Sequence, residues 1–181
     1  MDKNFHYSDA PAPQPVIFDM IFAEKVGGGL VKNAAFDRHP GLAVSADGEV
    51  IKGARLYEAI TNSASTLKVE KDHGFVTGDF IASGNVAVKV TKVDSTHDDY
   101  DIITASGLKA DLEKGAVLYQ ASEASESAAE PKYEPVFVLG TFLPANCGDE
   151  LAKLVNGANV RKETILFPAE IAEKMNGIHV L

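Results

Sequence analysis

A six-residue phrase occurs twice, as Lys52-Gly53-Ala54-Arg55-Leu56-Tyr57 and as Lys114-Gly115-Ala116-Val117-Leu118-Tyr119. Each copy sets a glycine ahead of apolar residues, the order of a turn feeding a strand. The repeat confines the middle of the chain to a compact β module with related turn-to-strand entries, and neither copy carries obvious reaction chemistry.

The surrounding pattern agrees. Asp47-Gly48 between apolar runs at 42–44 and 50–51 reads as a hairpin. Residues 56–60 fit either a short helix or a strand. Strands are expected at 66–70, from Phe80, and at 86–93, the last answered by 100–105 as a hairpin. Ahead of the module, prolines at 11, 13 and 15 impose an extended arm. Val16-Ile17-Phe18-Asp19-Met20-Ile21-Phe22-Ala23 follows as a strand, with Val16, Phe18, Met20 and Phe22 on one face. Both faces are largely apolar, so cover on both sides is expected, with Gly27-Gly28-Gly29 ending the strand.

Residues 121–135 are poor in large apolar groups and read as an exposed loop. The tail predicts a buried strand at 136–139 and a short helix at 150–155, opened by Gly148-Asp149 and stopped by Asn156-Gly157. A strand at 159–167 follows, then a helix with Pro168 first and Gly177 as its C′ residue, then a strand at 178–181. The organisation is thus an arm and first strand (1–30), a central β module (31–120), a loop (121–135) and a packed α+β segment (136–181). The fold class is mainly β (α+β): a small antiparallel β-barrel or sandwich with a compact strand-helix-strand tail.

With 181 residues the chain can build one sizeable core. Its net charge of −9 repels phosphate backbones and anionic lipid, so neither nucleic acid nor membrane is an expected partner. The 16–23 run holds a charge and is too short to span a bilayer. The opening residues lack a basic stretch followed by an apolar run, so no secretory leader is expected. Cys147 is the only cysteine, which excludes an intrachain disulfide and a multi-thiolate zinc site.

Candidate chemistry is sparse. The loop from Asp94 to Asp101 gathers carboxylates that suit calcium, but it lacks the glycine and terminal glutamate of an EF-hand and equally suits a solvated turn. His6, His39, His73, His97 and His179 show no helical zinc spacing. The triple glycine has neither Rossmann nor P-loop spacing. Cys147 beside Gly148 fits a thiolate at a helix start, but no partner base is visible. No catalytic, cofactor or metal residue is expected.

Four stretches carry a resemblance: Phe18-Asp19-Met20-Ile21-Phe22-Ala23, Val76-Thr77-Gly78-Asp79-Phe80, Lys114-Gly115-Ala116-Val117-Leu118-Tyr119-Gln120-Ala121, and Leu154-Val155-Asn156-Gly157-Ala158-Asn159-Val160-Arg161-Lys162-Glu163-Thr164. In this order the chain resembles the head fibre or capsid decoration (auxiliary head) proteins of tailed bacteriophages and prophages of gut bacteria. The resemblance implies a β-rich, often oligomeric, non-enzymatic virion protein made in the host cytoplasm and attached to the capsid exterior. Its partners would be the major capsid protein and sister copies in a homo-oligomer, a trimer being one form. The apolar residues Phe5, Tyr7, Val16, Ile17, Phe18, Ile21 and Phe22 are the candidate interface, either as an edge strand of the same module or as an arm reaching a neighbour by strand addition. On that reading, deleting residues 1–25 leaves the module folded and abolishes capsid binding. The alternative is a carbohydrate- or host-surface-binding module displayed on the head, which wants exposed aromatic platforms. The absence of tryptophan and a total of five tyrosines weigh against it.

Overall fold

The computed structural model describes residues 16–105 and 107–181. Their strands are β1 (Phe18–Glu24), β2 (Gly29–Val31), β3 (Ala43–Ser45), β4 (Val50–Ile51), β5 (Gly53–Arg55), β6 (Thr66–Val69), β7 (Phe80–Ser83), β8 (Val86–Asp94), β9 (Asp101–Ala105), β10 (Val117–Ala121), β11 (Pro135–Leu139), β12 (Glu150–Ala152), β13 (Leu154–Val160) and β14 (Ile178–Val180). One four-residue helix, α1 (Ala169–Ala172), lies between the last two strands. No helix among the described residues is long and apolar enough to cross a membrane.

The strands form a layered sandwich, and neither large sheet closes into a barrel. One sheet runs β1-β13-β11-β3-β4, with β14 parallel to β13; the second runs β5-β10-β7-β8-β9-β6; β12 and β2 make a two-stranded ribbon. The centre of the first sheet is buried on both faces. Ala43, Ile51, Val138 and Val155 turn toward Tyr119 and Ala82 of the second sheet. Their neighbours Val44, Val50, Leu139 and Leu154 turn toward Val31 and Ala152 of the ribbon. Burial on both sides is why residues 136–139 read as an uninterrupted apolar run. A further core of Leu56, Leu67, Ile81, Val90, Ile103 and Leu118 covers the far face of the second sheet.

The two repeat copies pair with each other. Arg55 opposes Val117, Ala54 opposes Leu118 and Gly53 opposes Tyr119, so the phrase meets itself antiparallel about its fourth position. The two glycines nonetheless differ. Gly115 is a turn glycine (φ +85°) with open space where a Cβ would stand. Gly53 lies in a strand, and a Cβ there would sit 1.8 Å from the Leu166 carbonyl oxygen.

The expected hairpins at 42–51 and 86–105 form as β3–β4 and β8–β9. Residues 56–60 form neither helix nor strand; the isolated bridges Leu56↔Val69 and Ile60↔Leu112 tie them down, with the Leu56 N–H donating to the Ala116 carbonyl and the Tyr57 N–H to that of Lys68. The helix expected at 150–155 is instead β12 and the start of β13. Asp149, the apparent cap, accepts the Asn33 N–H at 2.8 Å and the Lys32 ammonium at 3.2 Å, so a distant segment takes the carboxylate a helix start would use. Asn156-Gly157 lies inside β13 rather than ending a helix. Gly157 is needed there because a Cβ would stand 2.7 Å from that of Ala23. The strand expected at 159–167 stops at Val160, where Arg161 and Thr164 close a turn. Pro168 caps α1 rather than beginning it, and Gly177 (φ +93°) lies beyond the helix, in the turn that admits β14 under the Asn156 carbonyl. Within 121–135, Ala121, Ala129, Pro131 and Pro135 are buried while most intervening residues are exposed.

The contrast between the glycines is testable. Gly115→Ala is expected to cost about 1–2 kcal/mol for an L-residue at positive φ. Gly53→Ala is expected to cost about 3 kcal/mol or more, because main chain must move. Urea unfolding of both variants gives the order; equal or reversed losses contradict the assigned roles.

Candidate functional site

β1 carries the predicted interface, and its geometry corrects the alternating pattern. Phe18↔Val160 is followed by Met20↔Asn159, and Ile21↔Ala158 by Ala23↔Gly157, so Asp19 and Phe22 are extra residues on β1. Each bulge shifts which way the following side chains point. Ile17 is buried and Phe18 and Ile21 pack against the core, whereas Val16, Met20 and Phe22 stand 59%, 60% and 54% exposed. The strand is therefore not covered on both sides. β13 carries β1 along one edge and β11 and β14 along the other, so among the described residues β1 is an edge strand. Phe5 and Tyr7 lie outside the described residues.

Sequence reasoning missed part of this surface. Val26 is 97% exposed in the turn after β1, and Leu30 and Leu151, both exposed, oppose each other across the ribbon. Of the nine exposed large hydrophobics among the described residues, six are Val16, Met20, Phe22, Val26, Leu30 and Leu151. Two shallow grooves run between Phe22 and Leu151: one lined by Ile21, Phe22, Glu24 and Lys153, the next by Glu24, Lys25, Gly28, Leu151 and Lys153. The Glu24–Lys153 ion pair, at 3.1 Å, bridges the two. Leu151 escaped notice because its segment reads as a helix; Leu30 carries no sequence signal for exposure.

The polar clusters face inward. His73 is buried: its Nδ1 accepts the Phe75 N–H at 2.9 Å, and its Nε2 lies 3.0 Å from Asp101 Oδ2 without hydrogen-bond alignment. Burial pushes the imidazole below its ordinary value, against the opposing pull of the Asp101 charge. Burial also works to raise the Asp101 carboxyl, but hydrogen bonds from Lys71 and Ser95 and the nearby charges outweigh it and hold the group below its ordinary value. With its Nδ1 lone pair occupied, His73 is poorly placed to act as a general base. Its ring borders a cavity of about 290 Å³ lined by Ile17, His39, Arg55, Glu70 and Glu163 among others. Arg55 in that wall already donates to the Gly115 and Ile165 carbonyls.

The two carboxylates that end the acidic loop are already engaged. Asp94 is pulled down to about 2, first by the Thr96 hydroxyl, then by the Thr96 N–H and Lys92. Asp101 turns away to Lys71 and His73. Among the described residues, no group of three or more His, Cys, Asp or Glu side chains is placed to hold a metal ion. Cys147 precedes a strand, so the helix-start reading of its thiol lapses. Its Sγ accepts from the fully buried Arg38, which also donates to the Lys32 and Pro144 carbonyls. The triple glycine turns the chain from β1 toward β2, closed by the Gly28 N–H on the Lys25 carbonyl.

One aromatic row lies near the surface. Tyr100 is stacked on His97 (4.6 Å) and lies 5.1 Å from Tyr57, while Lys68 and Lys114 sit over Tyr100 and Tyr57. The ring faces meet each other and the lysines, leaving little open face for a sugar to stack on. No family model matches the sequence, and no curated protein or solved structure matches it.

The His73 geometry fixes a pH dependence. Its folded pKa lies below the ordinary 6.5, so the unfolded chain binds the proton more readily. Its contribution to stability is full above that value and is lost as pH falls from it toward the folded pKa. Urea midpoints of wild type are expected to drop across this window, and His73→Gln to flatten the drop; an unchanged slope contradicts the assignment.

Proposed function

We propose that this chain is a non-enzymatic structural protein of a bacteriophage particle, seated on the outside of the assembled capsid as a decoration or head-fibre component. Its partners on this reading are the major capsid protein and sister copies. The observation that carries the proposal is the gathering of exposed apolar side chains on β1, the following turn and the ribbon. Solvated proteins rarely keep such a patch on one face without a partner for it. The polar groups fit the same reading: buried His73, Asp101 and Arg38 and exposed Asp149 tie segments together and present no nucleophile with an adjacent base. Many copies on a repeating lattice would let modest affinity at each site suffice.

The bulges change the mode of docking. They kink the outer edge of β1 and disfavour addition of another strand. Side-chain burial of Val16 and Met20 is the better-supported contact. Deleting residues 1–25 is a poor test, because it also removes Ile17, Phe18 and Ile21 from the core.

Val16→Asp with Met20→Asp is the cleaner variant. Both positions are exposed, so stability is expected to stay within about 0.5 kcal/mol of wild type. Heads stripped of the protein and incubated with it are expected to bind the variant at least about tenfold more weakly. Equal occupancy sinks the assigned surface. Mass spectrometry of purified particles tests the class itself, and particles without the chain overturn it.

A further inference from the structure

The ribbon end of the apolar face carries a second inference, concerning which partner meets it. Phe22, Val26, Leu30 and Leu151 are its exposed carbon, and the two grooves that share Glu24 and Lys153 run between Phe22 and Leu151. Leu30 and Leu151 stand directly opposite in the ladder. Residues 24–32 and 149–153 carry Glu24, Lys25, Lys32, Asp149, Glu150 and Lys153, three acids against three bases. The whole chain has 26 acidic and 17 basic residues, so its entire acidic excess lies outside these two segments. Two copies repel through the net −9 that the rest of the chain carries, whereas on this face each meets a balanced surface. Four of the six charges are already paired, Lys32 with Asp149 at 3.2 Å and Glu24 with Lys153 at 3.1 Å, and the remaining two, Lys25 and Glu150, are of opposite sign.

We propose that a second copy of this chain docks on this face, ribbon against ribbon about a two-fold axis, with Leu30 and Leu151 of both copies at the centre. An isologous contact puts the same patch on both sides, so leucine meets leucine and each acid–base pair meets another that can exchange partners with it. The inference rests on reading this face as a docking surface and not on what the shell is made of. Val16 and Met20, at the other end of β1, remain for the shell. Four apolar side chains are fewer than the roughly 800 Å² per partner of a standard stable interface supplies, so the dimer is expected to be weak, roughly micromolar.

Sedimentation velocity of the full chain over a concentration series is the test. Wild type is expected to form dimers as concentration rises, and Leu151→Glu, still folded by circular dichroism, to dimerise at least about tenfold more weakly. A chain carrying Cys147→Ser and Leu151→Cys is expected to form a covalent dimer on mild oxidation. The same background with Val76→Cys, exposed but away from the ribbon, is expected to form none. Wild type that stays monomeric to its solubility limit overturns the proposal, as does Leu151→Glu dimerising like wild type or equal cross-linking through Val76→Cys. The arms separate this inference from head attachment: Val16→Asp with Met20→Asp should lose heads and keep the dimer. A monomeric wild type whose Leu151→Glu variant loses heads would assign the ribbon to the shell and sink the second copy.

Discussion

The two large sheets depend on one close approach of main chain to main chain. The segment around Leu166 passes over Gly53 in the first repeat copy, near enough that no side chain fits between. Arg55, two residues on, donates to the Ile165 carbonyl at 2.7 Å and to Gly115 of the second copy at 2.9 Å. The Leu166 N–H in turn donates to the Gly41 carbonyl. One guanidinium thus fastens the C-terminal turn to both repeat copies. That fixes Ile165 and Phe167 in the core shared by the sheets, where burial stabilises by roughly 1.5–3 kcal/mol for each. Loosening this junction would free the tail that supplies β13 and β14, and with it the strand on which β1 rests.

β1 shows how a small backbone irregularity decides what a surface offers. Seven apolar-rich residues in regular alternation would bury one face and expose the other. Two extra residues replace that period with a spacing nearer three, so Ile17, Phe18 and Ile21 anchor the strand while Met20 and Phe22 are turned outward. The same bulges spoil the outer edge for main-chain pairing. The outcome is a surface that exposes apolar side chains while its bulges guard against indiscriminate strand addition.

Polar chemistry runs the opposite way. Asp149 joins the Asn33 segment to the start of the ribbon; Arg38 joins the 32–38 segment to Pro144 and Cys147; Asp101 gathers Lys71 and His73. Lys52 and Asp79, both mostly buried, form a 2.6 Å pair completed by Gln120. Breaking such a buried pair from one side costs about 3–5 kcal/mol. Residues that resemble functional groups in the sequence are cross-links between distant parts of the chain. Exposed carbon, rather than exposed charge, distinguishes this molecule's surface.

The sequence by itself determined the β character and several elements. Val86 to Asp94 with its hairpin partner, the Asp47-Gly48 turn and the apolar run at 136–139 are set by alternation, turn chemistry and burial, which are local. Tertiary structure decided the rest. Residues 150–155 became strands because β2 and Asn33 offered partners that outcompete a short helix, and local propensity holds no record of a partner more than a hundred residues away. Phe18, Ile21 and Phe22 were legible as an apolar segment, but which of them faces solvent depended on bulges set by pairing with β13. Leu151 became part of the surface only once Leu30 lay opposite it. Sequence fixes which groups are apolar; only the fold's long-range pairing determines which of them remain uncovered.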